Sequence, residues 1–151
     1  MNSNRACLLV IACAALSGCG TGGSFACTDS SVRTAALDAA NEQVRDLILF
    51  DALGRHHLVE VALKHPKYAE FKARTDAPYV GEVVADVDRF LSSKKFSIEA
   101  MRAQSSSADS ASLSCAGDFV MQGAEGTKKF PITYVVYQEN GKIVRVDVSG
   151  L

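Results

Sequence analysis

The feature that most constrains the fold of this sequence is a single change in its hydrophobic period. Up to about residue 93, apolar residues recur at steps of three and four, which is the spacing of an amphipathic helix. From about residue 96 onward, apolar and polar residues alternate, as in a strand with one buried face. Helices followed by strands predict an α+β fold, with the helices packed on the apolar face of an antiparallel sheet.

The longest helical stripe lies near the start of this first half. It consists of Val32, Ala36, Ala40, Val44, Leu47 and Ile48. The stripe predicts a buried face on a long helix over about residues 30–53. Asp29 or Ser30 is the expected N-cap, because both side chains accept hydrogen bonds from free backbone N–H groups. Gly54 is the expected stop, since glycine readily adopts the left-handed conformation that ends helices.

A second stripe precedes the change of period. It consists of Val80, Val83, Val84, Val87 and Leu91. This spacing predicts a helix over about residues 78–93, with Asp76 as its cap. Shorter helical pieces are expected between the two stripes, at residues 55–64 and around Tyr68 and Phe71.

Four alternating runs then predict a four-stranded antiparallel meander over about residues 96–149. The residues on the alternating positions predicted to face inward are Phe96, Ile98, Ala100, Ala111, Leu113, Cys115, Gly117, Phe119, Met121, Ile132, Tyr134, Val136, Val144, Val146 and Val148. Asn140 and Gly141 predict a two-residue hairpin turn, because both tolerate positive φ. Residues 104–111 predict a polar loop between the first two strands.

The N-terminus has the layout of a secretory signal peptide. Arg5 precedes an apolar run over residues 6–16, which is too short to span a bilayer. The run ends in Leu16-Ser17-Gly18-Cys19, which resembles the lipobox of bacterial lipoproteins.

This resemblance implies that residues 1–18 are removed and that Cys19 carries lipid, a diacylglycerol on sulfur and a fatty acyl group such as palmitate on nitrogen. Gly20 stands where an Asp would favour the inner membrane, so the resemblance implies the outer membrane, facing the periplasm. Residues 19–27 then form the lipidated Cys and a glycine-rich tether. Residues 28–151 are expected to form a single globular domain.

The cysteine count predicts one disulfide. Cys7 and Cys13 lie in the signal peptide, and the lipobox resemblance assigns Cys19 to acylation. Cys27 and Cys115 remain, and in an oxidising compartment the simplest expectation is that they pair. The alternative is a reactive thiol or metal pair, for which neither cysteine has a His or Cys at ligand spacing nearby.

The order of elements, a long helix and then an antiparallel sheet, is similar to that of cystatin-like and NTF2-like folds. This resemblance concerns fold alone and implies no function. The sequence contains no nucleophile elbow, zinc-protease motif, EF-hand or phosphate-binding glycine loop. We therefore expect no catalytic residue, cofactor or metal, and no enzyme activity. The net charge of −1 and the absence of a basic patch give no indication of nucleic-acid binding.

The histidines and one carboxylate pair are the residues that most resemble a metal or acid/base site. On a helix, His56 and His57 point about 100° apart, and His57 and His65 are separated by about 12 Å. These positions do not favour a shared metal ion, so we interpret the histidines as solvated or partly buried. Glu82 and Asp86 are four residues apart, and we interpret them as part of a solvated helix face.

A possible interaction face is predicted on the outward side of the last hairpin. It comprises Thr133, Val135, Tyr137, Arg145 and Asp147, a mixture of apolar and polar side chains. Tyr and Arg are enriched where proteins bind one another. The alternative is an ordinary solvated sheet face.

Three functional classes follow from these expectations. The first is a membrane-anchored periplasmic lipoprotein that acts as a non-catalytic binding module for an envelope protein. The second is an inhibitor or immunity lipoprotein that blocks a toxin or cell-wall hydrolase, with residues 104–111 as the inserting loop. The third is a carrier of an apolar small molecule, which requires an unfilled cavity between the long helix and the sheet.

Overall fold

The structure is a computed structural model that describes residues 25–74, 77–106 and 112–151. Within these residues the chain forms helices and then strands, so the predicted α+β class is confirmed. The helices are α1 (Ser30–Arg55), α2 (Val59–Lys64), α3 (Tyr68–Lys72) and α4 (Val80–Ser92). The strands are β1 (Lys95–Ser106), β2 (Ser112–Gly123), β3 (Gly126–Glu139) and β4 (Lys142–Ser149). They form one sheet in the order β1-β2-β3-β4, each antiparallel to the next, which confirms the meander.

Helix α1 begins where predicted but is capped differently. The backbone carbonyl of Asp29 accepts the first helical hydrogen bond from the Arg33 N–H at 2.9 Å. Its carboxylate instead accepts from the Ala26 N–H at 2.8 Å, so it caps no helical N–H. The helix also continues through Gly54 to Arg55, and the left-handed residue beyond it is His57, with φ of 59°. Gly54 as the stop is therefore wrong, because the chain reverses at the histidines.

Helix α4 lies within the predicted range of residues 78–93. Val80, Val83 and Val87 are buried, as their spacing predicts. The predicted cap, Asp76, lies outside the described residues.

The buried side chains form two clusters that meet along α1. The sheet core lies between the first half of α1 and the sheet; its members are Cys27, Val32, Ala36, Ala40, Val44, Ile98, Leu113, Cys115, Phe119, Ile132, Tyr134, Val136 and Val148. The helical core lies between the second half of α1 and the other helices; its members are Leu49, Ala52, Leu53, Ala62, Tyr68, Phe71, Val80, Val83 and Val87. Ile48 and Leu91 pack against both cores.

The change of core along α1 overturns one predicted core residue. Leu47 is 51% exposed, although it belongs to the predicted stripe. After Val44 the helix turns its buried side from the sheet toward the other helices, where Leu49, Ala52 and Leu53 are buried. Leu47 therefore lies outside both cores.

Cys27 and Cys115 form a disulfide, as predicted. Both residues are buried in the sheet core, and the bond joins the chain just ahead of α1 to the middle of β2. Phe25 also packs against this core, so ordered packing begins ahead of the predicted domain boundary at residue 28.

A bulge in β1 makes the predicted inward position of Ala100 wrong. The β1–β2 register shifts between Glu99 and Arg102, and Ala100 is exposed with φ of 50°. The bulge adds one residue and brings Met101 against the sheet core instead. Gly117 lies opposite, where a Cβ atom would come within 3.0 Å of the Glu99 carbonyl oxygen. The small residue therefore permits the close approach of the bulged strand.

The last hairpin confirms its predicted turn and corrects one strand position. Asn140 and Gly141 have φ of 52° and 73°, as a two-residue turn requires. Val144 is exposed rather than buried, because the β3–β4 register shifts and leaves it as an extra residue. Ile143 packs against the sheet core in its place.

Candidate functional site

The predicted interaction face forms a contiguous patch on the side of the sheet away from α1. Tyr137 is opposite Arg145, and Val135 is opposite Asp147, while Thr133 continues the same face of β3. The Arg145 guanidinium lies 4.2 Å from the Tyr137 ring centroid and donates to Asp147 at 2.7 Å. Arg145 therefore contacts both Tyr137 and Asp147 within the patch.

The structure does not bring the three histidines together into a site. His56 Nε2 lies 3.1 Å from Asp86 Oδ2, and the Arg89 guanidinium donates to Asp86 Oδ1 at 2.8 Å. The contact with His56, followed by that with Arg89, lowers the pKa of the Asp86 carboxyl. Asp86 therefore connects the end of α1 to α4. In the part of the chain that the structure describes, no three His, Cys, Asp or Glu side chains cluster as metal ligands.

A polar network that the sequence analysis did not identify holds α3 in place. The Asp46 carboxylate on α1 accepts from the Tyr68 N–H at 2.8 Å and from Lys67 Nζ at 2.9 Å. The Tyr68 hydroxyl donates to Asp88 on α4 at 2.6 Å and accepts from Lys72 at 3.2 Å. Burial, and then the bond to Asp88, raise the pKa of Tyr68. Every group in this network has a partner, so its geometry is that of a structural brace.

An apolar concavity lies at the junction of the two cores, and we call it the apolar groove. It is lined by Val44, Leu47, Ile48, Phe90, Met121, Phe130 and Leu151. Its volume is about 160 Å³. Leu47 and Phe130 are exposed at its surface, and Phe50, which is 53% exposed, lies one turn further along α1. An apolar concavity with exposed aromatic and aliphatic walls has the chemistry to receive an apolar side chain.

Charged side chains lie beside this groove at the end of the sheet. Lys94 Nζ is 5.1 Å from the Phe90 ring centroid and forms an ion pair with Glu125. The hydrogen bond from Lys94 to Glu125 is the main reason that the pKa of the Glu125 carboxyl is lowered. Lys128 is exposed and is the cross-strand neighbour of Met121, so its side chain lies on the groove side of the sheet.

The sequence does not predict the groove, because the residues that line it have the pattern of ordinary core residues. The sequence pattern predicts inward positions for Leu47 and Met121, and Phe130 falls just outside the alternating run that begins at Ile132. Periodicity identifies the apolar face of an element but does not show where a neighbouring element stops covering it.

Comparison with family models, curated proteins and solved structures finds no match to this chain. Among the described residues, no helix is both long enough and apolar enough to cross a membrane.

Proposed function

We propose that this protein is a lipid-anchored periplasmic binding module without catalytic activity, and that it binds an envelope protein through the apolar groove. The observation that carries the proposal is the size of the groove, about 160 Å³. An apolar cavity of about 150 Å³ admits one benzene ring, whereas pockets for small-molecule ligands usually measure about 300–1,000 Å³. The groove therefore fits one aromatic or aliphatic side chain of a protein better than it fits a carried lipid.

The proposed anchor is acylated Cys19, followed by a short tether. Because Phe25 already packs on the sheet core, only residues 20–24 separate the lipid from the fold. Five extended residues reach at most about 18 Å. Two or more acyl chains give stable membrane attachment, so the domain would stay close to the bilayer, which we propose is the periplasmic side of the outer membrane.

The groove lies away from the tether along the sheet. The tether enters beside Cys27, which is bonded to Cys115 on β2. Met121, which lines the groove, is six residues further along β2, a distance of about 20 Å. A groove far from the attachment point would be accessible to a partner in the periplasm.

Site-specific photo-crosslinking in living cells tests this proposal. Phe130 in the groove and Tyr137 on the predicted interaction face are both aromatic residues of β3. Each is replaced separately by p-benzoylphenylalanine in the full chain. We expect one discrete protein adduct from position 130 and none from position 137, because only the first lines the groove. Adducts from position 137 alone, or from neither position, would overturn the groove as the docking site.

The anchor is tested in parallel with Cys19→Ser. We expect wild-type protein in the membrane fraction with lipid on Cys19, and the variant as an unacylated precursor that retains residues 1–18. Normal processing of the variant would exclude the lipobox interpretation without affecting the crosslinking result.

A further inference from the structure

We infer that the apolar groove recognises an apolar side chain accompanied by a carboxylate, so that the partner presents an acidic, amphipathic segment. This inference rests on the proposed function and specifies its partner. It is carried by the position of cationic side chains at the edge of a groove whose walls are entirely apolar.

Lys128 is placed beside the groove by the register of the sheet. It lies directly opposite Met121 and two residues before Phe130, and both of these residues line the groove. Residues that are directly opposite each other on paired strands, or two apart on one strand, share one face of a sheet. Their Cβ atoms are about 4.5–7 Å apart. The exposed ammonium group of Lys128 is therefore within reach of a ligand seated on Met121 and Phe130.

Lys94 adds a second ammonium group, 5.1 Å from the centroid of the Phe90 ring. Its side chain is only 6% exposed and is already committed to Glu125. Lys128 also lowers the pKa of the Glu125 carboxyl, but less than Lys94 does. Two ammonium groups thus lie near one carboxylate at this edge. The more exposed one, Lys128, remains able to donate to a second carboxylate.

Other charged side chains on α1 and α4 form ion pairs with each other. Asp51 pairs with Arg55 on α1, and Arg89 pairs with Asp86 on α4. Among the charged side chains around the groove, Lys128 is therefore the exposed one that is left for a ligand. A carboxylate next to a buried apolar side chain would complement it, whereas an amine at the same position would be repelled.

The test uses three fluorinated probes that differ only in their polar end: 3-(4-fluorophenyl)propionate, 3-(4-fluorophenyl)propanol and 3-(4-fluorophenyl)propylamine. The full-length acylated protein is reconstituted in phosphatidylcholine nanodiscs, and binding is followed by ¹⁹F NMR, with empty nanodiscs as the background. We expect the acid to bind severalfold more tightly than the alcohol, and the amine to bind least.

Three variants test whether this order of affinities arises at the groove. Lys128→Glu should reverse the preference, so that the amine binds better than the acid. Lys142→Glu, a change of the same charge at the opposite end of the sheet, should leave the order unchanged. Phe130→Ala should weaken all three probes to a similar degree, because it removes a wall common to all of them.

Equal affinities for the three probes, or the same order in Lys128→Glu, would overturn the inferred carboxylate preference. Binding that strengthens when the protein is diluted would identify a second copy of the chain as the occupant and would also overturn it. If no probe binds above background while position 130 still forms its adduct, this inference fails and the proposed function stands. If probes bind in the expected order and no adduct forms, the proposed function fails instead.

Discussion

The sheet core and the helical core are stabilised by different means. The sheet core is enclosed by a continuous four-stranded ladder and joined to α1 by a disulfide. The helical core contains two helices of only six and five residues. Isolated helices of this length are unstable in water, so α2 and α3 depend on their packing and on side-chain contacts with their neighbours.

Three aspartates form side-chain hydrogen bonds in the helical region. Asp46 holds the start of α3, Asp88 binds the hydroxyl of Tyr68, and Asp86 connects α4 to His56. The comparison indicates that the sheet region is stabilised covalently and by backbone hydrogen bonds, whereas the helical region relies on side-chain hydrogen bonds. The two regions should therefore respond to different perturbations.

Removing the disulfide should have the largest effect. The bond closes a loop with a sequence separation of 88 residues. The double variant Cys27→Ala/Cys115→Ala should lower the free energy of unfolding by on the order of 4 to 5 kcal/mol, through the greater entropy of the unfolded chain. Urea unfolding measures this loss. Reduced wild-type protein should match the variant, and an unchanged urea midpoint would contradict the importance given to the bond.

Removing the Asp46 carboxylate should have an intermediate effect on the helical region. Its side chain is 15% exposed, and Asp46→Ala leaves the Tyr68 N–H without its acceptor. We expect a loss of about 1–3 kcal/mol in the free energy of unfolding, measured with urea. Asp46→Asn keeps an acceptor oxygen and should lose less. If Asn is as destabilising as Ala, the ion pair with Lys67 rather than the N–H bond would be responsible.

Acidification should have the smallest effect, through Asp86. Its pKa is lowered below the ordinary value of 3.8 in the folded protein, so the unfolded chain binds protons first as the pH falls. The stabilisation is present above about pH 4 and is lost as the pH falls through the folded pKa. Urea unfolding between about pH 5 and 2 should show a shallower decline for Asp86→Asn than for wild-type protein.

Glu125 provides the matching measurement at the sheet edge, because its pKa is lowered mainly by Lys94. Glu125→Gln should also make the loss of unfolding free energy with falling pH less steep, and hydrogen exchange should place its effect at the β2–β3 turn rather than at α4.

The Asp86 prediction has its own contradicting outcome. If the unfolding free energy of Asp86→Asn falls with pH as steeply as that of wild-type protein, the contact with His56 does not stabilise the fold.

The sequence patterns predicted the fold class, the meander and the disulfide because each depends on a regular spacing or a simple count. They failed at Ala100 and Val144, where a bulge adds one residue and a neighbour, Met101 or Ile143, packs against the sheet core instead. Alternation alone does not reveal such an insertion. Leu47 failed for a related reason, since the helix exchanges one core for another within a single apolar stripe.

The residues of the predicted interaction face lie together on one side of the sheet, and their use in binding stays a prediction. Thr133, Val135 and Tyr137 share one side of β3 because that strand is regular up to Tyr137. The apolar groove could not be predicted in the same way. It is built from α1, α4 and both strands of a hairpin, and their relative positions depend on packing between elements distant in sequence.

The disulfide has a mechanical consequence for a chain held from its N-terminus. A pulling force applied ahead of Phe25 reaches Cys27 before the first turn of α1 at Ser30. The covalent bond then transmits the load to Cys115 in β2, which is flanked by hydrogen-bonded strands on both sides. Such a load therefore reaches the sheet through the disulfide without passing along α1.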